Sequence, residues 1–164
     1  MLGSRTKPPG VLRRSDVTVT ARIERVDVDD LAPRALALAG DPTLEAWITE
    51  ELRYTDVELV TVATVDDAID ALVGCPPPRP QLLIADLDAL DAAATFQLHA
   101  VRARGWFGAI IALGSVCSDL RTSLVINRVL ARPLDDRSLE RAVDALGLCD
   151  PTLPISTLPR ASQR

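Results

Sequence analysis

The sequence predicts an α/β domain whose five parallel strands form a doubly wound sheet. Two observations carry this. Five short apolar runs alternate with segments patterned as helices, and such alternation gives a parallel sheet joined by right-handed crossovers. One segment, Gln81-Leu82-Leu83-Ile84-Ala85-Asp86, is apolar from Leu82 onward and then ends abruptly on a carboxylate. A run apolar on both faces fits a strand buried between two helical layers. Asp is disfavoured inside strands, so Asp86 belongs where the strand surfaces.

The domain proper begins near Pro33. Residues 35–39 read as a first strand leading into Gly40-Asp41. Asp41-Pro42 opens a helix, with Asp at the N-cap and Pro at the first helical position. Leu44, Trp47, Ile48 and Leu52, joined by Glu51, follow at helical spacing. The β-branched stretch 57–62 is a second strand, and 66–73 a short helix closed by Gly74. Cys75-Pro76-Pro77-Pro78-Arg79-Pro80 fits neither helix nor strand and makes a stiff connection. The third strand is 82–85, followed by a helix over 91–104 that Gly105 stops. Residues 109–113 form a fourth strand ending at Gly114-Ser115, and 118–127 a helix. A short fifth strand at Val129 leads into Arg132-Pro133. Asp135 or Asp136 caps a last helix, whose buried stripe is Leu139, Val143 and Leu146 and which Gly147 ends.

These five units fit the flavodoxin-like plan, with strand order 2-1-3-4-5. In that order the first and third strands are neighbours, which sets Asp41 beside Asp86. Ligands gather at the carboxyl ends of strands in such sheets, so Asp41, Asp86 and Arg132 are expected to meet at one edge.

Composition narrows the function. The chain has 164 residues, 48% of them hydrophobic but only 3% aromatic. It is long enough for one core, built from Ala, Val, Leu and Ile. A net charge of −5 argues against a nucleic-acid surface. Cys75, Cys117 and Cys149 match neither a zinc pattern nor a disulfide framework and read as reduced, mostly buried thiols in a cytoplasmic protein. No apolar run approaches the roughly 18 residues needed to span a membrane, and no signal peptide is evident. Residues 1–33 form an N-terminal extension: 1–15, basic and rich in Pro and Gly, read as disordered, and alternation between Val17 and Val28 permits an edge strand. Residues 34–147 are the domain, and 148–164 a disordered tail.

The domain resembles the receiver domains of two-component response regulators, which are CheY-like in fold. The resemblance rests on Leu82-Leu83-Ile84-Ala85-Asp86, on Ile110-Ile111-Ala112-Leu113, and on Leu130-Ala131-Arg132-Pro133-Leu134 before a capped helix. It implies that Asp86 is a phosphoacceptor, loaded by a histidine kinase or phosphotransfer protein. It also implies a magnesium ion held by Asp41, Asp86 and the carbonyl of Asp88. Four departures bear on this. The acidic pair after the first strand has become Gly40 and Asp41. The Thr or Ser ending the fourth strand is replaced by Gly114, with Ser115 one residue later. The basic residue before the Pro is Arg132 where the family has Lys. The residues that usually follow the acceptor Asp are absent from Leu87-Asp88-Ala89-Leu90-Asp91. The resemblance further implies a cis bond between Arg132 and Pro133.

Losing one acid weakens a site for magnesium, which prefers hard oxygens. A guanidinium keeps the charge of an ammonium but aims differently. Plainer roles stand beside each residue: Asp41 as an N-cap, Asp86 as a solvated strand end, Arg132 as a partner of either acid that closes the site. His99 has no partner in the pattern and reads as a surface or boundary residue.

The sequence therefore points to a receiver-like signalling domain acting through protein contact and degenerate in phosphorylation, with weak magnesium binding if any. A second copy of the chain is a further candidate partner. The alternative is a stand-alone regulator phosphorylated on Asp86. An enzyme with a nucleotide or flavin site is disfavoured, because Gly40-Asp41-Pro42-Thr43 has one glycine and a proline that removes an amide donor.

Overall fold

A computed structural model describes residues 32–74 and 76–148. The candidate edge strand between Val17 and Val28, the chain beyond residue 148, and Cys75 and Cys149 lie outside the described residues, and Cys117 is free but exposed at the start of α4, where the sequence suggested burial. In chain order the elements are β1 (Arg34–Leu38), α1 (Pro42–Leu52), β2 (Glu58–Val62) and α2 (Val65–Ile69), which runs into a π-helical turn at Asp70–Gly74. Then come β3 (Leu82–Asp86), a 3-10 turn (Leu87–Ala89), α3 (Ala92–Ala103), β4 (Ala109–Leu113), α4 (Ser118–Ser123), β5 (Arg128–Leu130) and α5 (Ser138–Asp144). The strands form one parallel sheet in the order β2-β1-β3-β4-β5. The predicted flavodoxin-like topology is the observed one.

Alternation along the strands divides the core into two layers. On one face Leu36, Leu83 and Ile110 pack with Leu98 and Val101 of α3 and with Leu72. On the other, Ala37, Ile84 and Ile111 meet Ile48 of α1 and Leu139 and Val143 of α5. All five residues of β3 are buried, which places Asp86 at the end of the most enclosed strand.

The N-cap of α1 is as the sequence predicts: Asp41 Oδ1 accepts the Thr43 N–H at 2.9 Å, and Pro42 opens the helix. Helix ends differ from expectation at α4 and at α5, which stops at Asp144 and leaves Leu146 half-buried beyond it. Neither Asp135 nor Asp136 caps α5. Its N-cap residue is Arg137, in the left-handed region at φ 61°, with no side-chain cap of its own. Glu51 of α1 supplies the cap instead. Its Oε1 accepts the Arg137 N–H at 2.6 Å and its Oε2 the Leu139 N–H at 3.0 Å. That contact explains an acid among the inward positions of α1. Glu51→Ala should cost about 1 kcal/mol, the usual worth of a cap, measurable as a lower urea midpoint with unchanged slope.

The other difference is α4, which ends at Ser123, short of the predicted 127. The Ile126 N–H bonds the Arg121 carbonyl at 3.0 Å and the Val125 N–H bonds the Thr122 carbonyl at 3.2 Å. This is a Schellman ending with a left-handed residue past the cap, and that residue is Val125, at φ 55°. Such a place normally takes Gly, so nothing in the sequence signalled the stop. The end of α3 has the same pairing around Gly105, where Gly marked it.

The loop before β4 and the turn before β5 are joined by one side chain. Arg102 donates to the carbonyls of Gly108 at 2.8 Å, Leu124 at 3.0 Å, Trp106 at 3.2 Å and Val125 at 3.3 Å. Its guanidinium lies 5.0 Å from the Trp106 ring centroid, and burial lowers its pKa from the ordinary arginine value.

Candidate functional site

Asp86 is the one buried charged residue among the described residues, at 6% exposure. An ionised carboxylate in that position needs a partner. It has one on a single oxygen. Arg132 Nη2 donates to Asp86 Oδ2 at 2.9 Å, while Asp86 Oδ1 is buried with no hydrogen-bond partner. Arg132 sits just past β5, and its bond to Pro133 is cis, as expected.

The guanidinium reaches a second acid. Arg132 Nε lies 3.4 Å from Asp88 Oδ2, and Asp88 Oδ1 accepts the Ser115 N–H at 3.0 Å. One cation thus straddles two carboxylates that leave the end of β3 on a 3-10 turn. The bond and charge of Asp86, with a smaller contribution from Asp88, raise the pKa of Arg132 above its ordinary value.

Gly114 makes room for this arrangement. It follows β4 at φ 99°, fixed by its N–H to the Leu130 carbonyl at 2.9 Å. A Cβ built there would overlap the carboxylate of Asp88. Asp88 therefore fills the space into which a side chain at the end of β4 would project. The sequence reading assigned Asp88 a carbonyl role. The structure brings its carboxylate into the centre, and neither residue signals this alone, since the room for it lies at Gly114 on another strand.

Asp41, Asp86 and Arg132 all lie at the carboxyl edge of the sheet, following or ending neighbouring or near-neighbouring strands. Asp86 and Arg132 are in contact. Asp41 is exposed, and its carboxylate is turned to the first turn of α1. Ser115 enters through its backbone N–H.

The magnesium set that the resemblance implies needs the carboxylates of Asp41 and Asp86 together with the Asp88 carbonyl. Among the described residues no three acidic, His or Cys side chains gather as a metal site. Magnesium takes several hard oxygens in near-octahedral array, and here Asp86 Oδ2 and both carboxylate oxygens of Asp88 are already engaged by Arg132 and the Ser115 N–H. The cation facing both acids is the guanidinium. Removing it by Arg132→Met should cost about 1–2 kcal/mol. A charged hydrogen bond is worth roughly 1.5–3 kcal/mol, discounted because the arginine is half exposed. Urea unfolding of the variant measures this, and Asp86→Asn in the same background should recover part of the loss.

No protein-family model and no curated protein matches the sequence. Solved structures do. The signal receiver domain of a protein described as a Luxo repressor from Vibrio parahaemolyticus superposes with a TM-score of 0.60 at 23% identity, covering 74% of this chain and 93% of that one. The fold is that of receiver domains. The chemotaxis protein CheY4 of Vibrio cholerae matches with a TM-score of 0.59 at 16% identity, over 70% of this chain and 98% of that one. The receiver domain of a sensor histidine kinase from Pseudomonas aeruginosa, with a magnesium ion coordinated in its active-site cleft, matches at 0.51 and 22%, over 70% and 97%. Relative to that receiver fold, Asp86, Gly114 and Arg132 stand at the ends of β3, β4 and β5, around the carboxyl edge where the predicted site was placed.

Proposed function

We propose that this is a receiver-like signalling domain of a two-component or phosphorelay system, working through contact with another protein and degenerate in phosphorylation. The observation that carries the reading is the bridge from Arg132 to both Asp86 and Asp88. Phosphoryl transfer to a carboxylate needs a cation placed on the incoming phosphoryl oxygens. Here the cation is already committed to the acceptor itself. Asp88 also fills the place of the hydroxyl that would bond the phosphoryl group. Magnesium binding on this reading is weak, and no enzymatic role is assigned. No helix among the described residues is long and apolar enough to cross a membrane.

One observation favours the second reading, a regulator phosphorylated on Asp86: the Oδ1 oxygen is buried without a partner, so it retains a lone pair for attack. Intact mass after incubation with acetyl phosphate and magnesium separates the two. The proposal expects no mass gain in wild type or in Asp86→Asn. A gain of one phosphoryl group in wild type, abolished by Asp86→Asn, establishes the second reading instead.

A further inference from the structure

The opposite end of the sheet carries a surface that the acid pocket does not use. Phe107 lies in the loop before β4 and Val125 in the turn before β5, and the Arg102 guanidinium bonds the carbonyls of Trp106, Gly108, Leu124 and Val125. The two side chains therefore ride on one clamp. Both point to water: Phe107 is 81% exposed and Val125 62%.

The platform beneath them is closely packed. Trp106 is buried and its Nε1–H donates to the Pro80 carbonyl at 2.7 Å. Gly108 has no space for a Cβ against the Trp106 ring and the Gln81 carbonyl. Val125 holds a left-handed φ that β-branched residues avoid. Such a frame holds the backbone that carries Phe107 and Val125, so little loop order is left to lose on binding.

The stretch of chain that builds this surface is rich in arginine. Between residues 92 and 134 there are five arginines and a single acid, Asp119, in a chain of net charge −5. Arg104, Arg121 and Arg128 are exposed and form no ion pair among the described residues. Arg104 stands three residues before Phe107 and Arg128 three after Val125, while the Arg121 carbonyl accepts the Ile126 N–H beside Val125. Asp119 belongs to the first turn of α4, away from this end.

We infer that this surface docks an acidic segment of a partner protein, one in which carboxylates flank an apolar anchor. The anchor covers Phe107 and Val125, and the carboxylates meet the arginine rim. A two-fold contact between copies of the chain would set arginine against arginine, which disfavours it. The chain's overall negative charge disfavours nucleic acid. Two exposed apolar residues make a small centre, so the contact is of the weak, transient class. The inference rests on the reading that the domain works through protein contact, and it is independent of the state of Asp86.

The test titrates the isotope-labelled full chain with a short synthetic peptide of glutamates around leucine and tryptophan, following backbone amide shifts. The expected result is saturable shifts confined to residues 104–108 and 121–128, with none at Asp86 or Gly114. A lysine-for-glutamate version of the peptide should leave the spectrum unchanged. Phe107→Ser and, separately, Arg104→Glu should each weaken binding by about tenfold or more while leaving the thermal midpoint unchanged. Absence of shifts at these residues, equal binding of the lysine peptide, or saturable binding of oligo-dT at the same residues overturns the inference. Phosphoryl uptake is a separate readout. Uptake with docking intact overturns only the degenerate pocket, and lost docking with an inert Asp86 overturns only this surface.

Discussion

Gly114→Thr, which restores the hydroxyl that the receiver resemblance implies, should destabilise the domain by about 2–4 kcal/mol. Two costs combine. Gly114 holds φ 99°, and a β-branched residue forced into a positive-φ conformation costs roughly 1–3 kcal/mol. The new Cβ also overlaps the Asp88 carboxylate, and overpacking of that kind costs about 1–3 kcal/mol. The second part is specific to Asp88. Replacing it by Ala removes the overlapping atoms, so a double-mutant cycle should show a favourable coupling of about 1–2 kcal/mol between the two changes. A Gly114→Thr variant within about 0.5 kcal/mol of wild type, the range of neutral surface substitutions, would show that Asp88 does not occupy that space in solution.

Arg102→Met should cost about 2–3 kcal/mol. The side chain closes two loops by donating to four carbonyls, three of the bonds partly buried. Each charged hydrogen bond is worth roughly 1.5–3 kcal/mol, but the four share one side chain and their carbonyls regain water when it leaves, so the losses do not sum. Met preserves the apolar stem. Arg102→Lys should recover less than half, because an ammonium cannot reach all four acceptors as a planar fork does. Hydrogen exchange should accelerate at Ile110 and at residues 125–127 in the Met variant and remain unchanged in α1. Uniform acceleration across the sheet would mean that Arg102 acts on global stability and does not hold these loops in particular.

The sheet was legible in the sequence because its signals are local. Apolar runs such as 109–113 and the Asp41-Pro42 start describe their own backbone, and both were found where expected. What escaped depends on residues distant in sequence. The cap of α5 comes from Glu51, 86 residues before Arg137. The stop of α4 depends on Val125 taking a conformation that Gly usually marks. The site shows the same division. Strand ends located Asp86 and Arg132, and the pairing of a single cation with the buried acid was one of the roles open to Arg132. The engagement of the Asp88 side chain was not visible, because it follows from the empty volume at Gly114 across the β3–β4 register. Asp41 kept its local role as a cap, and no local pattern indicates whether such a carboxylate also turns inward.

On the proposed reading, Arg132 supplies the positive charge at the acid pocket in place of a metal. A magnesium titration of wild type and Arg132→Ala, read at the amides of Asp86, Asp88, Gly114 and Ser115, tests it directly. Two carboxylates lying on a guanidinium have little to offer a divalent ion, whereas the same pair without it regains attraction for one. Wild type should show no saturable shift, and Arg132→Ala a saturable shift centred on Asp86 and Asp88. Saturable binding in wild type that is unchanged or weakened in Arg132→Ala would contradict it.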